Sequence, residues 1–275
     1  MKRFFTLSLL FILTNTINAQ WVQTNGPGSG SVSGLATNGN NIITSDGQSI
    51  YLSINQGETW VQIEKDQVAS YWNSLAFSGN YILGSTSESP GKGDGGVYFS
   101  DDNGTNWYKV WPMDDVHSFA VSGNNVFANY SYYMGPAVGV IRSLNNGQSW
   151  SYANDGLTNI TQVNTVAAYG DYVFAGTDSG IFISTNSGTN WTTQNNDLSK
   201  LTVYSIAASG TNVFAGTEYD GVYFSTDNGL TWTQVNNGLT NLCVKSLAIS
   251  GTRLSCLPFT PPAAFTSDIA SCTAV

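Results

Sequence analysis

The sequence predicts an all-β fold, and three observations carry that reading. Only 10% of the 275 residues are charged and 29 are glycine, whereas about a quarter of an ordinary soluble domain is charged. Glycine, Asn, Ser and Thr are poor helix formers, while the Trp, Tyr, Phe, Val and Ile that supply the apolar content suit pleated strands. Aromatic residues reach 13%, enough for a packed core, which excludes a disordered chain. Third, one short motif recurs at nearly constant spacing, the mark of a repeat architecture.

The motif occupies Ser53 to Trp60, Ser100 to Trp107, Ser143 to Trp150, Ser184 to Trp191 and Ser225 to Trp232. Its pattern is S-x-[DN]-x-G-x-[TSN]-W, and the five tryptophans stand 47, 43, 41 and 41 residues apart. Asn55, Asp102, Asn145, Asn186 and Asp227 hold the third position. Their side chains can accept backbone N–H bonds from two or three residues on, and the glycine supplies a positive φ, so the motif reads as a tight turn. Asn serves in three copies, so the role is hydrogen bonding and not acid chemistry or ion ligation. Trp60, Trp107, Trp150, Trp191 and Trp232 then begin an outer strand and can pack between units.

Four short β-runs surround each motif. In one unit they are Val163 to Tyr169, Tyr172 to Thr177, Gly180 to Thr185 and Asn190 to Asn195, separated by turn residues such as Gly170-Asp171 and Asp178-Ser179. The next unit repeats them as Val203 to Ser209, Asn212 to Thr217, Gly221 to Thr226 and Thr231 to Asn236. Four antiparallel strands in about 40 residues is the arithmetic of a β-propeller blade. Clear blades are expected over residues 31–64, 72–111, 116–154, 163–195 and 203–236, with a degenerate unit over 244–275. The propeller therefore has about six four-stranded blades in a single domain, 20–275.

These residues resemble the Asp-box, or BNR, repeat of sialidases, sortilin-type receptors, xyloglucan-degrading glycosidases and photosystem II assembly factors. The likeness covers residues 31–236 and implies a propeller scaffold, not one activity. A sialidase would grip the substrate carboxylate with three arginines, whose planar guanidinium makes paired bonds. Beyond Arg3 the chain has only Arg142 and Arg253, so a conventional sialidase site is absent. The assembly-factor relatives are associated with an arginine-rich patch, which this arginine-poor chain does not share.

The ends depart from the repeat. Met1-Lys2-Arg3, the apolar run 4–13 and the small residue Ala19 read as an export signal, giving a mature chain from Gln20. The run is too short to span a bilayer, and the product is expected to be secreted, periplasmic or at the cell surface. Gln20 to Gln23 resembles a lone outer strand that could complete the last blade. Val244 to Ser250 resembles a first strand, after which the pattern decays and Pro261-Pro262 would interrupt a ladder. The tail is either a worn blade, with Ser267-Asp268 and Cys272 as relics of the motif, or a damaged or truncated end. Cys243, Cys256 and Cys272 match no metal spacing.

If each blade runs outward from the axis, the 1–2 turns and the motifs share one face, short and near-identical. The 2–3 loops and blade connections share the other and vary, which is where binding residues gather on a rigid scaffold. Candidates there are Glu88, Asp94, Trp111, Tyr132, Tyr133, Asp178, Glu218, Tyr219 and Asp220, with Tyr71, Trp72, Asp114 and Asp115 nearby. Aromatic faces beside carboxylates suit sugar rings. The sole histidine, His117, opens an inner strand and is expected to be packed or hydrogen-bonded. Nine basic against 18 acidic residues give a formal charge of -9, which repels nucleic acids and anionic membranes. No catalytic triad, metal cluster or cofactor motif is present in the sequence. The expectation is a monomeric, non-catalytic glycan- or protein-binding module. The alternative is a glycoside hydrolase using two carboxylates of the variable face.

Overall fold

The computed structural model describes residues 26, 32–63, 71–87, 95–112, 115–131, 138–193, 198–250 and 253–258. They form a β-propeller of five four-stranded antiparallel sheets followed by a two-stranded one. Blade one holds β1 (Gly34–Asn38), β2 (Asn41–Ser45), β3 (Ile50–Ser53) and β4 (Val61–Gln62). Blade two holds β5 (Trp72–Ser78), β6 (Tyr81–Thr86), β7 (Gly96–Ser100) and β8 (Tyr108–Trp111). Blade three holds β9 (Val116–Ser122), β10 (Asn125–Ser131), β11 (Val138–Ser143) and β12 (Ser151–Tyr152). Blade four holds β13 (Val163–Tyr169), β14 (Tyr172–Thr177), β15 (Gly180–Ser184) and β16 (Thr192–Thr193). Blade five holds β17 (Val203–Ser209), β18 (Asn212–Thr217), β19 (Val222–Ser225) and β20 (Thr233–Gln234), and blade six β21 (Val244–Ser250) and β22 (Arg253–Pro258).

Two sequence expectations need correction here. One outer strand is shorter than predicted, because β20 pairs with β19 for two residues only, while residues 194–195, predicted to continue β16, lie outside the described residues. The repeat also survives past residue 254: β22 pairs with β21 from Arg253 to Pro258. The suggested closing strand 20–23 and the relics at 267–272 lie outside the described residues.

Each blade buries apolar side chains only because another blade covers it. The inner strands pack in series, β1 on β5, β5 on β9, β9 on β13, β13 on β17 and β17 on β21. Between blades three and four, Phe127, Val140 and Ala153 meet Val166, Val173 and Phe182. Between four and five, Phe174, Ile181 and Ile183 meet Val203, Ile206 and Val213. Among the described residues no comparable packing joins β21 to β1, and Leu35 is 63% exposed where its counterparts Leu75, Val166 and Ile206 are 5–8% exposed.

A hydrogen bond clips every junction at one backbone atom, the carbonyl of the residue that opens the next inner strand. Trp72 O accepts from Ser33 Oγ at 2.7 Å, Val116 O from Ser85 Oγ at 2.8 Å and Val163 O from Asn129 Nδ2 at 2.7 Å. Val203 O accepts from Asn164 Nδ2 at 3.0 Å and Val244 O from Ser205 Oγ at 3.4 Å. Buried carbonyls left unmatched are costly, so these donors fix where each blade begins.

The repeated turn is built around its serine, which is at most 2% exposed in all five copies. Ser143 Oγ donates to Asn145 Oδ1 at 2.8 Å and accepts the Gly147 N–H at 2.8 Å, and the other four copies repeat both bonds. The Asn or Asp oxygen accepts the N–H four residues on, as Asn145 does from Ser149 at 3.0 Å, one residue further than the sequence suggested, and in the two Asp copies the N–H three residues on also favours the carboxylate. Two successive residues take positive φ, for example Asn146 at 58° and Gly147 at 88°. Trp60, Trp107, Trp150 and Trp232 bond their own glycine carbonyl at 2.9–3.0 Å. Trp191 instead reaches Ala153 O of the preceding blade at 2.7 Å.

Asp227 pairs with the Thr231 hydroxyl and N–H, which hold its carboxyl down at about 2, and Asp102 is lowered by the Asn106 N–H. A depressed folded pKa contributes stability that is complete above the ordinary value and lost as pH falls through the folded one. Wild-type protein should therefore lose stability relative to Asp227→Asn between about pH 4 and pH 2 in acid unfolding followed by fluorescence. Parallel curves for the two proteins would contradict this. Asn129 is 1% exposed, and its Oδ1 accepts from both Ser118 N and Ser118 Oγ. Asn129→Leu should cost roughly 2–5 kcal/mol in urea unfolding, because it orphans buried groups in two blades.

Candidate functional site

Hydrogen bonding divides the two ends of the propeller. At the motif end, four of the five turns are tied to the 1–2 turn of their own blade: Gln56 N to Asn40 O, Asn146 N to Asn124 O, Ser187 N to Asp171 O and Asn228 N to Thr211 O, at 2.8–3.1 Å. Side chains then bridge blades, with Asn38 Nδ2 on Gly79 O and Ser122 Oγ on Gly170 O. Arg142 belongs to this end: its Nη1 donates to Ser187 O and Thr189 Oγ1, both at 2.8 Å. The guanidinium is thus a link between blades three and four, not a carboxylate clamp.

At the variable end, the 2–3 loops of blades two to five are tied to the connection entering their blade, as Glu218 N is to Thr202 O at 3.0 Å and Asp178 N to Gln162 O at 3.4 Å. The loop's exit bonds the next connection, Gly180 N to Leu201 O and Gly221 N to Leu242 O. These bonds fix the backbone and leave side chains outside the scaffold.

Of the candidates, Glu88, Asp94, Tyr132 and Tyr133, like Asp114, lie outside the described residues. Asp178 is anchored, its carboxylate accepting the N–H and hydroxyl of Thr161. Asp220 is held through its backbone: its carbonyl accepts from Gln234 and Asn236, and its N–H bonds Thr217 Oγ1. Trp111 ends β8 and meets Tyr152 edge-on at 5.3 Å, and Tyr152 in turn lies 5.7 Å from Tyr130. Burial raises the Tyr130 hydroxyl above its ordinary pKa, and Asn154 donates to it at 2.8 Å. Trp72, read as a loop aromatic, is 1% exposed and opens β5 in the core.

Glu218 and Tyr219 come together with two residues that sequence reasoning missed, Tyr204 and Lys245. Tyr204 donates its hydroxyl to Glu218 Oε1 at 2.8 Å, and Lys245 Nζ stands 3.0 Å above the Tyr204 ring centroid. The Tyr204 bond, aided by Tyr219, Thr202 and the Lys245 charge, lowers the Glu218 carboxyl below its usual range. The Tyr219 hydroxyl is raised by its bond to Glu218, and its side chain is 73% exposed. Tyr204 and Lys245 are second residues of β17 and β21, and their signal is visible when the repeats are aligned. The first residue of β5, β9, β13, β17 and β21 is Trp or Val and the third is Ser or Thr, while the second is Asn73, His117, Asn164, Tyr204 or Lys245. His117 is exposed, contrary to the packed role expected of it.

Among the described residues, no three His, Cys, Asp or Glu side chains converge as a metal group would require. No helix among them is long and apolar enough to cross a membrane.

Residues 117–247 match the family model of the DUF6242 beta propeller domain. No curated protein matches the chain. Among solved structures, YCF48 bound to D1 peptide is similar at 16% identity and a TM-score of 0.61, over 81% of this chain and 74% of that one. The extracellular domain of BT4673 from B. thetaiotaomicron is 13% identical with a TM-score of 0.64, over 86% of this chain and 33% of that one. The GH74 xyloglucanase from Xanthomonas campestris is 15% identical with a TM-score of 0.59, over 82% and 43%. The chain thus spans less than half of the latter two, and at these identities the likeness is one of fold.

Replacing Tyr204 by Phe removes the donor to Glu218. The Glu218 carboxyl should then titrate at higher pH in a carbon-detected NMR titration, and an unchanged midpoint would show that the bond does not form in solution.

Proposed function

We propose that this chain is an exported Asp-box propeller whose variable face is a non-catalytic binding surface for a glycan or a protein. The observation that carries the reading is how the described candidate acids are held. Asp178 is an acceptor for Thr161, and Glu218 is kept ionised by Tyr204. A glycosidase needs one carboxyl held protonated as the general acid, which takes an environment that raises its pKa. Glu218 is shifted the opposite way. It makes a fixed acceptor beside an exposed phenol, an arrangement suited to grasping a hydroxyl or an N–H group.

Support for the motif's identity comes from its five identical serine-centred turns. Support for export comes from the basic and apolar leader, and BT4673, one of the similar structures, is an extracellular domain. That YCF48 binds a peptide and that a GH74 enzyme acts on xyloglucan show that such scaffolds serve both binding and hydrolysis.

A glycan array and a hydrolysis screen on the mature chain test the proposal together. Binding without turnover is expected, with Tyr219→Ala weakening binding at least about tenfold through loss of its exposed ring. Turnover abolished by Glu218→Gln or Asp220→Asn would replace the binding module with a hydrolase.

A further inference from the structure

The inner strands of blades two to six carry the same irregularity in register with their neighbours. Val163 pairs with Thr177 and Thr165 with Gly176, so Asn164 is an extra residue. Asn73, Tyr204 and Lys245 are extra in the same way in β5, β17 and β21. In β9, His117 and Ser118 together face the single residue Asn129. Such β-bulges re-aim a side chain out of the regular alternation and are over-represented at rims and active sites.

Because inner strands pack on one another in series and run from the variable end toward the motif end, the five bulges follow one another around the axial mouth of the variable face. Two contacts show neighbouring members reaching one another: Lys245 lies over Tyr204, and Asn164 bonds Val203 O beside Tyr204. The residues one and two positions after each bulge belong to the scaffold and hardly vary in type, whereas the bulged residues are two amides, an imidazole, a phenol and an ammonium. Of the five, Asn164 alone is one of the clip donors.

We infer that Asn73, His117, Tyr204 and Lys245, with Glu218 and Tyr219, form a saccharide site at this axial mouth, and that its ligand is a neutral oligosaccharide. The inference rests on the binding reading above and deepens it. Hydroxyl groups act as donor and acceptor at once, and the ring offers both: Asn73 Nδ2 is buried without a partner among the described residues, and Glu218 is an oriented acceptor. Lys245 and Glu218 set one positive and one negative charge on either side of Tyr204. The formal charge of -9 disfavours an anionic glycan. Tyr219 and Tyr71, 73% and 58% exposed, offer flat surfaces for sugar C–H faces. Besides the two tyrosines, the large hydrophobic side chains exposed on the described part of this end are Val32, Tyr152 and Leu242, at 63%, 56% and 40%. Asn164, already bonded to Val203 O, positions the ring and makes no ligand contact.

The test uses the mature full chain and immobilised cello-, xylo-, manno- and galacto-oligosaccharides, with sialylated and uronic-acid glycans alongside. Binding to a neutral series is expected. His117→Ala and Lys245→Met should each weaken it roughly tenfold, as loss of one or two hydrogen bonds would. Both positions are exposed, so melting temperature should stay within a degree or two of wild type. Tyr152→Ala, at the outer rim, should leave affinity unchanged. Wild-type affinity in both ring variants would overturn the axial site while leaving the binding reading intact. Binding of acidic glycans alone would overturn the neutral ligand and spare the reading. Failure to bind any glycan would overturn this inference and confine the reading to a protein ligand. Should Lys245→Met fold poorly, Lys245→Gln and His117→Gln carry the same comparison.

Discussion

A four-stranded blade has two apolar faces and cannot bury either by itself, so each blade exists only as the cover of the next. That constraint makes the opening carbonyl of each inner strand the atom on which the rest depends. Five different donors, Ser33, Ser85, Asn129, Asn164 and Ser205, converge on five equivalent carbonyls. Apolar packing is forgiving about rotation and sliding, but a hydrogen bond to a single buried oxygen is not. The clips therefore set the angle and height at which blades stack, and Phe127, Phe174 and Phe214 fill the space that results.

The two ends of the propeller are bonded differently. At the motif end a buried serine hydroxyl organises each turn, and turn is bonded to turn within and between blades, so few side chains are spared for a ligand. At the variable end backbone hydrogen bonds tie the loops to the connections, and some side chains, among them Asp178 on Thr161 and Glu218 on Tyr204, are bonded locally while Tyr71 and Tyr219 stay exposed. At the bulges, an extra residue after the clipped carbonyl leaves the clip in place and takes one side chain out of the regular alternation, and in blade four that residue, Asn164, is itself the donor that clips blade five.

Much of this fold was legible because its signals are local. The limits of β13, β14, β17, β18 and β21 coincide with runs read from apolar alternation and the glycine turns that end them. The outer strand β20 was read too long, since composition does not reveal that an edge strand pairs for two residues only. The clips were not legible, because their donors come from two residue types on different strands and mean nothing until blades are stacked. Trp72 looked like a loop aromatic because the bond between Trp72 N and Gly47 O, which brings it into β5, is not written in its neighbours. Tyr204 and Lys245 were overlooked for the opposite reason: variation inside a repeat resembles noise until the bulge shows that it is confined to one position.

The central claim is that ligand contact belongs to the variable end and structural bonding to the motif end. Residue-resolved NMR shift mapping, with an oligosaccharide titrated into the labelled mature chain, tests it most directly. The account predicts saturable shifts at Asn73, His117, Tyr204, Glu218 and Lys245, with Gly57, Gly104, Gly147, Gly188 and Gly229 unmoved. Shifts centred on those glycines and the turns beside them would contradict it.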